Sequence, residues 1–87
     1  MSHKLIYTEN SLRQIKKMDE NVQKLLISYM RKIENLEEPR AKGKALSVHL
    51  KGFWRFRVED FRIICEIDDE RITIVVIDIG HKKNIYR

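Results

Sequence analysis

The sequence has few of the residues that covalent cross-links, metal centres and chain breaks require. Of its 87 residues, one is cysteine, one is proline, three are glycine and three are histidine. Cys65 alone forms no disulfide within the chain, and His3, His49 and His81 are too scattered for metal-ligand spacing. We therefore expect no metal, no cofactor and a reducing, cytoplasmic setting.

Long apolar runs are also missing. The longest, residues 72–79, is too short and too polar at Thr73 and Asp78 to span a membrane. Residues 1–4 carry none of the apolar character of a signal peptide, so we expect none. Pro39 and the glycines mark no linker, and a length of 87 residues predicts one small domain over residues 1–87.

Positive charge is what the sequence has in excess. Eighteen Lys and Arg against thirteen Asp and Glu give a formal net charge of +5. A basic domain favours an anionic partner, either nucleic acid or an acidic protein segment. No carboxylate pair, and no nucleophile beside a base, stands at a spacing that is diagnostic of a conventional catalytic site.

Hydrophobic periodicity predicts a strand and two helices in the first half. A strand is expected at residues 4–7, and a capping box at 11–14, with Ser11 as N-cap, predicts a first helix to about Lys17 with Leu12 and Ile15 on one face. Asp19 is the expected N-cap of a second helix. Its core-facing stripe comprises Val22, Leu25, Leu26, Tyr29, Ile33 and Leu36. The alternative for this stripe is a membrane-binding surface.

The second half changes to strand periodicity after a predicted loop at about 37–47. Apolar residues alternate through 54–58 and 61–67, with Trp54 expected in the core. The nearly continuous apolar run at 72–79 predicts a strand buried on both faces. The expected fold class is α+β, in the order β-α-α-β-β-β, with a helix hairpin packed on one side of a small, mostly antiparallel sheet.

An arginine cluster follows from this pattern. If residues 59–60 form a two-residue turn, Val58 pairs with Phe61 and both face the core. Arg57 then lies opposite Arg62, with Arg55 on the same face. Like charges placed opposite each other destabilise a sheet by a few tenths to about 1 kcal/mol. Either acidic neighbours neutralise them or the face receives an anion; the other interpretation is a solvated sheet face.

The surroundings of the cluster favour RNA. Residues 40–57 contain six Lys or Arg and no carboxylate, and the C-terminal segment 80–87 is basic and carries Tyr86. RNA phosphates attract positive charge, and unstacked bases stack on aromatic rings. RNA also carries its own nucleophile, the 2′-OH. An enzyme then needs to orient that hydroxyl and stabilise charge in the transition state, which arginines do without deprotonating.

Two segments carry a resemblance to the RelE/ParE toxin superfamily. They are residues 50–64 (LKGFWRFRVEDFRII) and residues 79–87 (IGHKKNIYR), the second of which looks like the ending of the RelE branch. The resemblance implies a toxin of a type II toxin–antitoxin system, a metal-independent endoribonuclease that cuts mRNA in the ribosomal A site by 2′-OH attack. It implies three partners: a cognate antitoxin that covers the basic face, the ribosome and mRNA.

The resemblance also implies roles for particular residues. The catalytic set it gives is Arg57, Arg62, His81, Lys82 and Tyr86. The RNA-binding set joins Arg55 and Arg57, from the family's basic pair, to lysines of the two basic segments, Lys44, Lys51 and Lys83. Arg62 and Lys82 would stabilise the phosphate and the transition state, and Tyr86 would stack on a base or orient the 2′-OH. For Tyr86 the alternative is packing onto the sheet edge, and for His81 it is a turn residue bonded to backbone.

The sequence departs from the family pattern in two places. Lys82 stands where an arginine is common, and Glu59 stands where the family often has glycine. Two other functions remain open. The first is a ParE-like inhibitor of DNA gyrase, against which the terminal tyrosine argues. The second is a non-catalytic RNA-binding module.

Overall fold

The fold was described from a computed structural model, in which residues 3–46 and 52–81 are described. Five strands and two helices make up this part of the chain, together with a 3-10 turn at Pro39–Lys42. The strands are β1 (Lys4–Tyr7), β2 (Lys44–Ala45), β3 (Phe53–Val58), β4 (Phe61–Asp68) and β5 (Thr73–His81), and the helices are α1 (Glu9–Lys16) and α2 (Glu20–Glu34).

The strands form one mixed sheet in the order β1-β5-β4-β3-β2. β1 runs parallel to β5, whereas the other neighbouring pairs are antiparallel. The two helices carry the chain from β1 at one edge of the sheet to β2 at the other. The predicted α+β class is confirmed, and the short strand β2 lies where the sequence predicted only a loop.

α1 begins one turn earlier than the capping box predicted. Thr8 is its N-cap, and the Thr8 hydroxyl accepts a hydrogen bond from the backbone N–H of Ser11 at 3.1 Å. Ser11 is buried, and its own hydroxyl donates to the Thr8 carbonyl at 3.0 Å. The prediction of Ser11 as N-cap was wrong. Thr8 and Ser11 both carry a hydroxyl that can cap a helix, and the capping-box pattern selected the later of the two. Of the two residues that were predicted to share a face of this helix, Ile15 is buried, whereas the exposed fraction of Leu12 is 42%.

α2 supplies the helical side of the core. Asp19 is its N-cap, as predicted, although the Asp19 side chain makes no capping hydrogen bond. Leu26 and Ile33 from the predicted stripe are buried, and so is Met30, which the prediction left out although it stands one turn after Leu26. Because this stripe packs into the core, it is not a membrane-binding surface. Neither helix in the described residues is long and apolar enough to cross a membrane.

β5 contains an irregularity that the sequence did not predict. Ile64 pairs with Asp78, but Cys65 pairs with Val76, so Ile77 is left without a partner on β4. Such a bulge shifts the alternation of side chains by one residue. Ile74, Val76 and Ile79 are therefore buried in the core, whereas Val75 and Ile77 are only half-buried. The prediction of a strand buried on both faces was wrong, because the helices cover only one face.

α1 holds this bulge in place where β1 has ended. The Ile77 carbonyl accepts hydrogen bonds from the side chains of Thr8 at 3.4 Å and Asn10 at 3.2 Å. The Gln14 side chain accepts from the Ile79 N–H at 2.7 Å and donates to Asp78 Oδ1 at 2.6 Å. Side chains of the α1 region thus satisfy the part of the β5 edge that none of the described strands covers.

Candidate nucleic-acid interface

The hairpin of β3 and β4 has the register that the sequence predicted. Val58 pairs with Phe61, and Arg57 lies directly opposite Arg62. Glu59, the first residue of the turn, has a φ of 52°, in the left-handed region that favours glycine. The backbone of this turn is therefore one in which a glycine would be less strained.

Arg55, Arg57 and Arg62 lie on the face of the sheet opposite the helices, as predicted from alternation. They differ in exposure: Arg57 is exposed, Arg55 is half-buried, and Arg62 keeps only 6% of its surface exposed. Burial lowers the pKa of Arg62 from its usual value, and the charges of Arg57 and Arg55 lower it further. Arg62 is thus not a residue of a freely solvated face.

The acidic residues near this cluster are fewer than its arginines. Asp78 on β5 lies on the same face, diagonal to Arg62, and is hydrogen-bonded to α1. Glu66 also lies on this face, but four residues along β4 from Arg62, which is about 13 Å of strand. Glu59 and Asp60 are exposed in the turn. Three arginines beside one carboxylate leave the face positively charged, which favours the interpretation that it receives an anion.

A basic cleft lies beside the cluster, towards the β2 edge of the sheet. It has a volume of about 150 Å³ and is lined by Lys42, Lys44, Arg55 and Arg57. Lys44 is the register partner of Arg55, so β2 and β3 supply adjacent walls. The structure therefore brings together three of the predicted RNA-binding residues, and it adds Lys42.

Known proteins resemble this chain in both sequence and fold. A family model of the ParE toxin of type II toxin–antitoxin systems (parDE) matches residues 5–86. The chain belongs to this family. Toxin RelG of Mycobacterium tuberculosis (strain ATCC 25618 / H37Rv) is 38% identical over 50 residues, which span 58% of this chain and 58% of RelG. The aligned part is thus less than two thirds of that relative.

Solved structures of RelE-type toxins share the fold. The toxin of the RelBE2 toxin–antitoxin complex from Mycobacterium tuberculosis has 23% identity and a TM-score of 0.83, covering 93% of this chain and 99% of that chain. The intact E. coli RelBE toxin–antitoxin complex gives 17% identity and a TM-score of 0.77, with coverage of 92% and 96%. The resemblance to the RelE/ParE superfamily is confirmed, and the chain is a toxin of a type II system.

In this toxin, His81 does not lie among the arginines. The register pairs it with Phe61, one residue beyond the pair of Gly80 and Arg62, and so places it on the other face of the sheet. Its ring packs edge-on against Phe61, with ring centroids 5.6 Å apart and planes at 72°. The prediction put His81 beside the cluster because it relied on the order of residues along the chain. It did not assign His81 to one face of the last strand.

Trp54 and Arg40 form a structural pair at the edge of the toxin. The Arg40 guanidinium lies 5.8 Å from the centre of the Trp54 ring, and its Nη2 bonds to Asp69 at 2.9 Å. Hydrogen bonds from His3 and Arg40 lower the pKa of the Asp69 carboxyl. Trp54 is half-buried against the core, so it is held by packing and is not free to stack on a base. Arg40 belongs to the basic tract 40–57, but its ion pair with Asp69 links the 3-10 turn to the turn after β4.

Four predicted site residues lie outside the described residues: Lys51, Lys82, Lys83 and Tyr86. β5 ends at His81, one residue after the partner of Arg62. The described part of the chain therefore ends beside the buried arginine. The roles assigned to the following residues stay predictions.

The described residues offer neither a cysteine nucleophile nor a group of metal ligands. Cys65 is completely buried, and burial raises the pKa of its thiol, so it does not supply a nucleophile. Within residues 3–46 and 52–81, no three His, Cys, Asp or Glu side chains are grouped so that they could hold a metal ion. Arginine and lysine side chains carry the charge of the described site.

Proposed function

We propose that this toxin is an endoribonuclease that cuts mRNA at the ribosome, using the 2′-OH of the substrate and no metal. The observation that carries the proposal is Arg62: its side chain is buried to 6% exposure directly opposite Arg57. A protein gains no stability from two like charges placed in this way. An anion bound between them would remove the repulsion.

The chemistry requires little beyond charge and orientation. The 2′-oxygen attacks the neighbouring phosphorus, the bond to the 5′-oxygen of the next nucleotide breaks, and a 2′,3′-cyclic phosphate and a 5′-hydroxyl result. The 2′-OH loses a proton and the leaving oxygen gains one. Positive groups that are already in place stabilise the extra charge on the phosphoryl oxygens in the transition state.

Each predicted site residue would contribute to this reaction according to where it lies. Arg62, buried and supported by Arg57, would contact the scissile phosphate. Arg55 and Arg57 would position it and support proton transfer. Lys82 and Tyr86 would act from the segment after β5, as the resemblance implies: Lys82 on the phosphate, Tyr86 on a base or on the 2′-OH. His81, which packs on Phe61, would act by orienting that segment.

The arginine face would be shared by two kinds of partner, the RNA and an antitoxin. A cognate antitoxin is implied by the type II system, and the relatives of known structure include toxin–antitoxin complexes. An antitoxin that covers the arginine face would block the RNA from Arg62. We place the toxin in the cytoplasm, where ribosomes and mRNA are found.

The experiment that tests the proposal is induced expression in a bacterial host with mapping of mRNA 5′ ends. The variants are Arg62→Ala and a matched control, Arg71→Ala, whose side chain is 83% exposed in the turn after β4. New 5′-hydroxyl ends inside translated frames are expected for the native chain and the control, and not for Arg62→Ala. Thermal melting of purified Arg62→Ala, expected within a few degrees of the native chain, separates a lost site from a lost fold.

A second candidate function is inhibition of DNA gyrase. It is favoured by the family model, which is described as a ParE toxin. Growth arrest with intact mRNA and with DNA damage would support it, as would inhibition of purified gyrase. Deletion of residues 86–87 is expected to abolish toxicity in the nuclease and to matter less in a gyrase inhibitor. A folded protein that binds RNA without cleaving it or arresting growth would be a non-catalytic binding module.

A further inference from the structure

We propose that a groove at the end of α2 binds a small amphipathic anion, a molecule with an apolar chain or ring and one negatively charged group. This α2 groove has a volume of about 510 Å³ and is lined by Tyr29, Lys32, Ile33, Asn35, Leu36 and Lys42. Of the described residues, none that was predicted to bind or cleave RNA lies in this lining. The inference therefore does not rest on the proposed nuclease activity.

The floor of the α2 groove is apolar and is supported by the core. Tyr29 and Ile33 lie one turn apart on α2, and the Leu36 N–H after the helix donates to the Ile33 carbonyl at 3.1 Å. Ile33 is buried, whereas Tyr29 and Leu36 are half-buried. The Tyr29 ring packs edge-on against Phe56, with centroids 6.5 Å apart. A ligand that covered this floor would remove apolar surface from water, which favours binding.

Two lysines from different elements give the groove its charge. Lys32 belongs to the last turn of α2 and Lys42 to the 3-10 turn. Both are exposed, and neither forms an ion pair with a carboxylate of the described residues. Glu38, which lies between them in the chain, is paired with Arg40 at 3.4 Å. The carbonyl end of a helix carries roughly half a negative charge, which two ammonium groups outweigh. The groove therefore favours an anion over a cation.

The size of the α2 groove suits a small molecule. Pockets for such ligands measure about 300–1,000 Å³ and combine apolar walls with a few polar groups. Here the Asn35 amide adds a hydrogen-bond donor to the two ammonium groups. A stable interface with a protein needs about 20–30 residues on each side, far more than the six that line the groove.

A fluorescence titration of the full chain with anilinonaphthalene sulfonate, a dye with apolar rings and one sulfonate, provides the first measurement. The bound dye is then displaced by octanoate, octanol and octylamine, which share one chain and differ in charge at neutral pH. Octanoate is expected to displace the dye at a concentration on the order of tenfold below that of octanol, which corresponds to one hydrogen bond to a charged group. Octylamine should be the weakest of the three. Equal potency of the three compounds, or a titration that does not saturate, would overturn the proposal.

Substitutions then locate the binding site. Lys32→Ala is expected to weaken octanoate binding on the order of tenfold. Lys24→Ala removes the same charge from the same helix, where the side chain is 73% exposed, and should leave octanoate binding unchanged. Lys32→Glu should abolish the preference for octanoate over octylamine. Leu36→Ala should weaken the binding of all three compounds, whereas Leu12→Ala, at an exposed leucine of α1, should weaken none.

Three results with these variants would contradict the assignment. One is unchanged octanoate binding in Lys32→Ala. Another is an equal loss in Lys24→Ala, which would reduce the effect to net charge. The third is a native chain that binds no octanoate while Lys32→Glu loses its antitoxin, which would assign the groove to a protein segment. Because no RNA enters these measurements, their outcome is independent of whether the toxin cleaves mRNA.

Discussion

The two faces of the β3–β4 hairpin use the same backbone for opposite purposes. On the helix side, Phe56 and Ile63 are a register pair and both are completely buried. On the other side, one residue further along each strand, Arg57 and Arg62 are a pair of like charges. Apolar packing on the first face stabilises the strands, and the strands hold the arginines together against their repulsion. The charged face therefore depends on apolar residues that lie on the opposite side of the sheet.

The largest effect is expected from Phe56→Ala. The ring of Phe56 packs edge-on against Tyr29, with centroids 6.5 Å apart, and touches the position of Gly43. Its removal leaves a cavity, so the free energy of unfolding should fall by about 3–5 kcal/mol in urea titrations. Phe56→Leu should lose clearly less. A loss below about 1 kcal/mol for Phe56→Ala would contradict the view that this face stabilises the hairpin.

Gly43→Ala should have the next largest effect. Its φ of −115° suits any residue, so the cost is the steric contact with Phe56 and the Arg55 carbonyl. Overpacking of this kind costs about 1–3 kcal/mol. Combined with Phe56→Leu, the loss should be smaller than the sum of the two single losses, as a double-mutant cycle would measure. Strict additivity would mean that the added methyl group does not press on the ring.

Glu59→Gly should stabilise the hairpin slightly. A non-glycine residue in the left-handed region costs about 1 kcal/mol or more, part of which is offset by the greater freedom of glycine in the unfolded chain. The net gain is expected to be at most about 1 kcal/mol, measured as a higher melting temperature. Glu59→Gln, which removes the charge and keeps the strain, is the control and should show no such gain.

The smallest effect concerns the like-charge pair itself. Arg57→Thr should raise the free energy of unfolding by a few tenths of a kcal/mol, because it removes the charge opposite Arg62. The gain should shrink as salt is added, since salt screens exposed charges. Arg71→Thr, in the turn after β4, should give no gain. A stability loss in Arg57→Thr would show that the arginine stem is needed for packing.

The sequence predicted the hairpin well because its signals are local. Alternation of apolar and charged residues from Trp54 to Ile67, with two acidic residues between the strands, determined the turn, the register and the common face of the three arginines. The prediction of Asp19 as the N-cap at the start of the second helix rested on an equally local signal.

The features that were missed depend on contacts between distant parts of the chain. The bulge at Ile77 exists where β1 has ended and where Thr8, Asn10 and Gln14 of the α1 region take over the edge of β5. β2 pairs with β3 next to Gly43, whose backbone lies close to Phe56. The burial of Arg62 and the part of Lys42 in the cleft also follow from tertiary placement, so no pattern along the chain indicated them.

The bulge gives β5 one residue that the pairing with β4 does not use. Val76 and Ile79 both face the helices although three positions separate them, because Ile77 is passed over in the pairing. A chain shortened by the codon for Ile77 would therefore keep Ile79 inward and Gly80 opposite Arg62, in a strand without a bulge. An in-frame deletion in β4, which has no such spare residue, would instead turn every side chain beyond it to the other face of the sheet. The two strands that meet at the buried arginine thus differ in how they tolerate the loss of a codon.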